Sequence, residues 1–275
     1  MTQPNISDVR DALIAKPGKA FKLSDRDTGD RSLFPDKKEA RVSLKKDAAV
    51  INELQDKLYA TRDRALLVVL QGMDTSGKSG VIRNVFGDTS PLGMQVQAFK
   101  APSKTELAHD YLWRIHDAVP RKGRIGVFDR SHYEDVLVVK VRNFAPAEKV
   151  EQRYEQINAF EKHLTENGVT VLKFMLNVGH EEQGIRLRER LTEPHKLWKF
   201  NPGDLEDRKL WPDFMEAYET AVQNCSTEHA PWHIVPADSR TRRNAMIARI
   251  VRGTLEDMNL SWPDPGYKSE DFDFE

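Results

Sequence analysis

The segment from Ala65 to Gly80 constrains the fold of this chain more than any other. Ala65 to Leu70 is an unbroken apolar run, the pattern of a central parallel strand buried on both faces. It leads directly into Gly72-Met73-Asp74-Thr75-Ser76-Gly77-Lys78-Ser79, which satisfies G-x-x-x-x-G-K-[ST] at every fixed position. Val81, Ile82, Val85 and Phe86 then open a helix. A strand that turns through glycines into a helix makes a cradle for anions. The glycines let successive N–H groups point inward, and the helix N-terminus adds a partial positive charge. Lys78 brings a full charge to the phosphate oxygens. Gly72, Thr75, Ser76, Gly77, Ser79 and Gly80 are the expected phosphate-binding positions of the loop. The motif calls for a chain of phosphates without saying which phosphate leaves.

The flanking sequence alternates. Leu44, Ala48, Ile51, Leu54 and Leu58 recur at spacings of three and four, which predicts a helix from Ser43. Strands are predicted at Met94 to Phe99, Ile125 to Phe128, Val169 to Leu176 and Trp232 to Val235. Between them, the capping box Ser103-x-x-Glu106 opens a helix through Leu107, Tyr111, Leu112, Ile115 and Val119 that stops before Pro120. Val150, Tyr154, Ile157, Phe160 and Leu164 mark another, ended by Asn167-Gly168. Further helices are predicted at Glu181 to Leu191, Trp211 to Cys225 and Arg242 to Met258. Strands alternating with helices mean a parallel sheet covered on both faces. The first 42 residues read as polar and irregular, interrupted by Pro4, Pro17, Gly18, Gly29 and Pro35. The expected organisation is an N-terminal extension with a helix at 1–62, one α/β domain with a helical lid at 63–260, and an acidic tail at 261–275.

Charge narrows the function classes. The chain has 42 Lys and Arg against 43 Asp and Glu, a net charge of −1, which argues against a dedicated nucleic-acid binder. A polyanion site remains compatible with that total if acids are placed elsewhere. A single cysteine, Cys225, excludes an intramolecular disulfide framework and fits a reducing compartment; it is expected to be a small buried hydrophobe. The N-terminal decapeptide lacks the basic and apolar regions of a signal peptide. The longest apolar run is far short of the roughly 20 residues that span a bilayer. A soluble cytoplasmic protein without a membrane or nucleic-acid partner is expected.

Two acids stand at the ends of strands. Asp74 lies inside a loop built for anions, which is unfavourable unless a cation sits between them. It is therefore a candidate Mg²⁺ ligand, or a group that holds Lys78 or an attacking phosphate in place; the plainer reading is a turn-stabilising Asx contact. Asp129 ends the strand at 125–129, where P-loop proteins place a second Mg²⁺-anchoring acid. Adjacent strand ends converge at the carboxyl edge of a parallel sheet, so Asp129 is expected to face Asp74 and Lys78, with Arg130 and Ser131 just beyond. Arg186, Arg188 and Arg190 lie on one predicted helix, with Arg186 and Arg190 on a shared face. That face either presents guanidiniums to phosphates or is a solvated surface laced to Glu182 and Glu189. Lys100, Lys104, Arg142, Arg153, Lys196 and Lys199 pose the same choice, each more often surface than site. Zinc-type clusters, a Ser-His-Asp elbow, a dinucleotide fingerprint and a guanine-reading N-K-x-D are all absent from the sequence.

Beyond the loop, several longer segments carry a resemblance. G-M-D-T-S-G-K-S-G at 72–80, F-K-A-P-S at 99–103, V-F-D-R-S-H-Y-E-D-V-L-V at 127–138, R-Y-E-Q-I-N-A-F-E at 153–161, W-K-F-N-P-G-D-L-E-D-R at 198–208 and S-T-E-H-A-P-W at 226–232 together resemble the polyphosphate kinase 2 family. The likeness runs in order from about residue 40 to 258. The D-R-S-H-Y-E-D segment is most similar to the subgroup credited with phosphorylating nucleoside mono- and diphosphates. The resemblance implies a P-loop kinase-like three-layer α/β/α sandwich, related to thymidylate kinases, with a lid supplied by residues 131–157 or by the helix at 181–200. It implies reversible Mg²⁺-dependent transfer of the terminal phosphoryl group of inorganic polyphosphate to AMP or ADP, giving ADP or ATP, by a homodimer or homotetramer. By motif position, Asp74 and Asp129 look like the acids that hold magnesium and orient the acceptor. Lys78 and Arg130 look like the cations on the transferring group. Arg190, Arg186 and Lys100 look like further phosphate ligands, with Arg190 the lid arginine of the catalytic set. Two other classes compete: an ATP-dependent nucleoside or nucleoside monophosphate kinase on the same fold, and a non-catalytic phosphate or nucleotide sensor.

Overall fold

Every residue of the apolar run at 65–70 is buried, because the run occupies the middle of a sheet with helices on both sides. The computed structural model describes residues 3–273. Its strands are β1 (Ile14–Ala15), β2 (Ala65–Gln71), β3 (Met94–Ala98), β4 (Ile125–Asp129), β5 (Val169–Asn177) and β6 (Trp232–Pro236). They form one sheet in the order β1-β6-β5-β2-β4-β3. The five strands β2 to β6 run parallel, as the alternating pattern requires, and β1 adds an antiparallel edge. Register places Leu70 opposite Asp129 on one side and Phe174 on the other. The chain leaving β2 therefore emerges directly beside the acid that ends β4.

One helical layer contains α1 (Ile6–Leu13), α2 (Lys37–Thr61), α3 (Lys78–Val85) and α11 (Arg240–Asp257), with α11 packed along α2. Their seam is ionic as well as apolar: buried Asp47 accepts from Arg249 at 2.8 Å and from Arg252 at 3.1 Å. The other layer is built around α7 (Ala147–Glu166), which carries α10 (Trp211–Cys225) and α6 (Val138–Val141). The short helices α4 (Lys104–Leu107) and α5 (Trp113–Asp117) lie between β3 and β4. Two others, α8 (His180–Thr192) and α9 (Gly203–Lys209), follow β5. No helix among the described residues is long and apolar enough to cross a membrane.

The structure differs from expectation at several places, β1, α6 and α9 among them. Residues 3–42 are not irregular throughout: 16–36 runs through turns as expected, but Asn5 and Asp8 form a reciprocal capping box that starts α1, and Val9 and Leu13 anchor it. Two apolar residues four apart in a polar segment are too faint a stripe to read alone. The helix predicted from Ser43 begins at Lys37, because the Asp36 carboxylate caps the N–H of Lys38. The helix predicted through 104–119 is broken into α4 and α5. The Asp110 side chain accepts from the N–H of Leu112 at 2.9 Å and restarts the chain, leaving Leu107 exposed.

A charged cluster inside the second layer was invisible in the apolar pattern of β5. Lys173 is fully buried; its Nζ donates to Glu161 Oε2 at 2.5 Å, to the Tyr133 hydroxyl at 2.7 Å and to the Cys225 carbonyl at 2.7 Å. Burial works against the charge on Glu161, but Lys173 and His132 together hold its carboxyl below the usual range. Cys225 is buried as expected, and burial raises its thiol to about 12. Removing one member of a buried ion pair strands the other. Lys173→Met should cost about 3–5 kcal/mol in chemical denaturation, and adding Glu161→Met should recover most of that loss.

Candidate active site

The loop between β2 and α3 curls as its glycines allow. Gly72 has φ +149, and a Cβ there would stand 2.7 Å from the Leu176 carbonyl oxygen. Gly77 has φ +104, and its missing Cβ leaves room for the Arg243 guanidinium, 1.9 Å from where that atom would be. A loop that turns its N–H groups toward a ligand turns carbonyls away from it, and here those carbonyls meet arginines. Arg243 Nη1 donates to Ser76 O at 2.6 Å. Arg186 Nη1 donates to Thr75 O at 3.0 Å, and its Nη2 holds the Ala237 and Asp238 carbonyls at 2.8 Å each. Lys78 is buried, with Nζ 2.8 Å from Gly72 O. Burial pulls its ammonium pKa down, reinforced by Arg130, while Asp74 and Asp129 work to keep it charged.

Asp74 lies within this loop, and the sheet register brings Asp129 beside it. Asp129 Oδ2 accepts from Ser79 Oγ at 3.2 Å. Asp74 takes a cation, though not Lys78: its Oδ1 lies 2.5 Å from Arg130 Nη2. Arg130 also pairs with Glu134 at 3.0 Å, and Glu134 and Asp74 hold its guanidinium charged. Arg130 has φ +66, a costly conformation for a residue with a side chain, and it occurs at the turn that presents this guanidinium to both acids.

The remaining expected residues divide. Arg190 donates to Asp204 Oδ2 at 2.7 Å and to Lys199 O at 3.1 Å; burial pushes the Asp204 carboxyl up to about 6. Arg186 is paired with Glu182 at 2.8 Å and is nearly buried, and its Nη1 holds the loop from behind while Nη2 is taken by Ala237 and Asp238. Lys100 is exposed and lies outside the cleft. Arg142 pairs with Asp207 and Arg153 with Asp135, so of the segments expected to supply a lid, only the one at 181–200 places basic side chains over the loop.

The cleft that results is about 370 Å³. Its cationic lining is Lys78, Arg130, Arg186, Arg190, Lys196, Lys199, Arg240 and Arg243, against the acids Asp74, Asp129 and Glu189. Among the lining residues cations exceed acids by five in a chain whose net charge is −1, with Glu134, Glu182 and Asp204 pairing three of those cations from outside the lining. Arg243 and Arg240 were missed in the sequence. Arg243 is one of five arginines on α11, and only the turn from β6 into α11 brings it beneath the loop. It is nearly fully buried and reaches oxygen only at Ser76 O and Asn244 Oδ1. Burial pulls its pKa down to about 9, with Arg186 and Arg240 adding to the effect.

The donor set also fits a hard divalent cation. Asp129 and Ser79 are adjacent, Asp74 lines the same cleft, and magnesium is usually held by one or two carboxylates with phosphate oxygens and water completing its shell. An all-protein cage is a different matter, since no group of three or more His, Cys, Asp or Glu suited to a metal occurs among the described residues. The site is thus built to complete its charge with a phosphorylated ligand.

The sequence model of the family described as polyphosphate kinase 2 (PPK2) matches residues 34–263. The chain belongs to that family. It is 46% identical over 259 residues to an AMP/ADP-polyphosphate phosphotransferase of Meiothermus ruber, covering 93% of this chain and 96% of the relative. It is 41% identical over 226 residues to an ADP-polyphosphate phosphotransferase of Rhodopseudomonas palustris, covering 78% of each. Among solved structures, polyphosphate kinase 2 from Arthrobacter aurescens superposes with a TM-score of 0.93 at 39% identity, covering 98% of this chain and 96% of that one. Family membership and the three-layer fold thus agree with the resemblance read in the motifs, and the chain is a phosphotransferase of the polyphosphate kinase 2 type. Chemically, the cleft offers charge neutralisation and positioning, which is most of what phosphoryl transfer asks of a protein. Gly77→Ala tests the loop: with both a disallowed φ and a clash against Arg243, it should lose about 1–3 kcal/mol of stability. Calorimetry should show tripolyphosphate binding lost at temperatures where the variant is still folded.

Proposed function

We propose that this chain transfers the terminal phosphoryl group of inorganic polyphosphate to AMP and ADP, reversibly and with Mg²⁺, as a homodimer or homotetramer in the cytoplasm. The observation that carries the reading is the concentration of positive charge around the loop, larger than a nucleotide alone needs and suited to a long polyanion. The printed activities of the relatives from Meiothermus ruber and Rhodopseudomonas palustris support the same donor and acceptors.

On this reading the loop N–H groups and Lys78 hold the donor phosphates, with Arg190, Lys196 and Lys199 along the chain. Arg130, braced by Asp74 and Glu134, sits where donor and acceptor phosphates meet and offsets their repulsion. Asp129, Asp74 and Ser79 would hold Mg²⁺, which when bound neutralises the charge that spreads over the equatorial oxygens of the transferring group. Arg186 and Arg243 keep the loop carbonyls turned back. No covalent nucleophile is required, because a bound acceptor phosphate attacks directly. Lys100, exposed and not among the residues that line the cleft, is left out of this assignment.

The decisive assay supplies ADP, long-chain polyphosphate and Mg²⁺ with no ATP, and detects ATP by chromatography. ATP formation is the expected result; activity only with ATP as donor would assign the chain to the nucleoside monophosphate kinases instead. Asp129→Asn should lower kcat in that assay by at least about a hundredfold while the melting temperature moves by only a few degrees. A variant that keeps near-normal turnover would remove Asp129 from the metal-anchoring role.

A further inference from the structure

An acid in a cleft made for polyanions opposes its own ligand, and Glu189 does so where the fold has little need of it. Asp129, beside the loop, and Asp74, within it, stand where a metal fits, and Asp204 braces Arg190 from outside the cleft lining. Glu189, on α8, has none of these duties. Its Oε2 accepts from Arg240 Nη2 at 2.7 Å, at the start of α11, and from Lys196 Nζ at 3.2 Å, in the 3-10 turn that follows α8. All three line the phosphate cleft. The Glu189 side chain is 32% exposed and that of Arg240 53%. Ion pairs this wet contribute little to stability, so a structural reason for an acid here is weak. The hydrogen bond from Arg240, with Lys196, holds the Glu189 carboxyl below its usual range, so it is ionised when the donor chain arrives.

We propose that Glu189 is a specificity-determining residue that competes with the donor chain: its carboxylate occupies Arg240, and shares Lys196 with Glu193, until polyphosphate displaces it, and takes Arg240 back as the shortened chain leaves. The inference rests on the polyphosphate reading above for the identity of the ligand. Its physical content is general. A polyanion gripped by every cation in the cleft would bind tightly and leave slowly; an internal carboxylate lowers the net gain of each contact and keeps the site reversible. A nucleotide seated at the Asp74–Arg130 end would not sense the change, so the effect is confined to the donor.

Titrating tripolyphosphate calorimetrically into wild type and Glu189→Gln tests this directly, because it reads donor binding without turnover. Glu189→Gln should bind about three- to tenfold more tightly at low ionic strength. The plot of log Kd against log salt should steepen, as Arg240, formerly paired with Glu189, now releases counterions, while Lys196 keeps its pair with Glu193 at 2.8 Å. In the ATP-free assay the KM for polyphosphate should fall, kcat should not rise and the KM for ADP should be unchanged. Glu189→Ala, which also removes the carboxylate, should move affinity in the same direction. Arg240→Gln should cost more affinity in the Glu189→Gln background than in wild type. Donor affinity that is unchanged or weaker in both Glu189 variants would overturn the proposal, and is what a merely structural tie between α8 and α11 would give. Failure of the wild type to make ATP from polyphosphate and ADP would instead overturn the functional reading, while the titration still decides the role of Glu189.

Discussion

The Ser76 carbonyl receives guanidinium N–H groups from Arg243 at 2.6 Å and from Arg186 at 3.4 Å. Peptide units have two ends, so a loop whose N–H groups are to face an anion must find partners for the carbonyls that face the other way. Water would serve in an open loop, but here the back of the loop is inside the protein. Two buried arginines solve the problem and add charge behind the cradle. Gly77 is required for the same reason: a Cβ would occupy the space of the Arg243 side chain. The glycine of the motif and an arginine more than 160 residues later are thus one structural unit.

The sheet supplies the rest of the geometry. Because β2 lies between β5 and β4, and Leu70 is level with Asp129, the loop, the second acid and Arg130 converge without any long-range adjustment. Arg130 then closes the arrangement through Asp74 and Glu134. Beneath it, the His132 and Tyr133 side chains enter the Lys173–Glu161 cluster. The segment that carries Arg130 is therefore pinned on its inner face by a charged network, while its outer face remains open to the cleft.

What could be read in the sequence was what short stretches of chain decide alone. The run at 65–70, the loop at 72–79 and the strand ending in Asp129 each carry their own signal, and the parallel sheet makes their meeting unavoidable. Arg243 and Arg240 lacked such a signal, since basic residues on a helix mean little until the neighbour of that helix is known. Lys173 hid inside a strand that reads as apolar, because its partners come from the segment after β4, from α7 and from the end of α10. The N-terminal strand β1 is two residues long, and its pairing with β6 is a tertiary fact without a local pattern. Arg186 and Arg190, one turn apart on α8, both line the cavity, yet Arg186 also ties Glu182 and the carbonyls of Thr75, Ala237 and Asp238 while Arg190 holds Asp204, a division that no local pattern shows.

The uneven placement of charge has a further consequence. With five positive charges in excess at the cleft and a total of −1, the remainder of the chain carries −6. The cavity lining is therefore more positive than the rest of the chain taken together. A long, flexible anion near the mouth of the cavity meets a local excess of cations, so the field favours an encounter there before any contact forms. Such guidance fades as the Debye length shrinks to about 8 Å near physiological ionic strength, which makes capture of the chain end a short-range event at the rim.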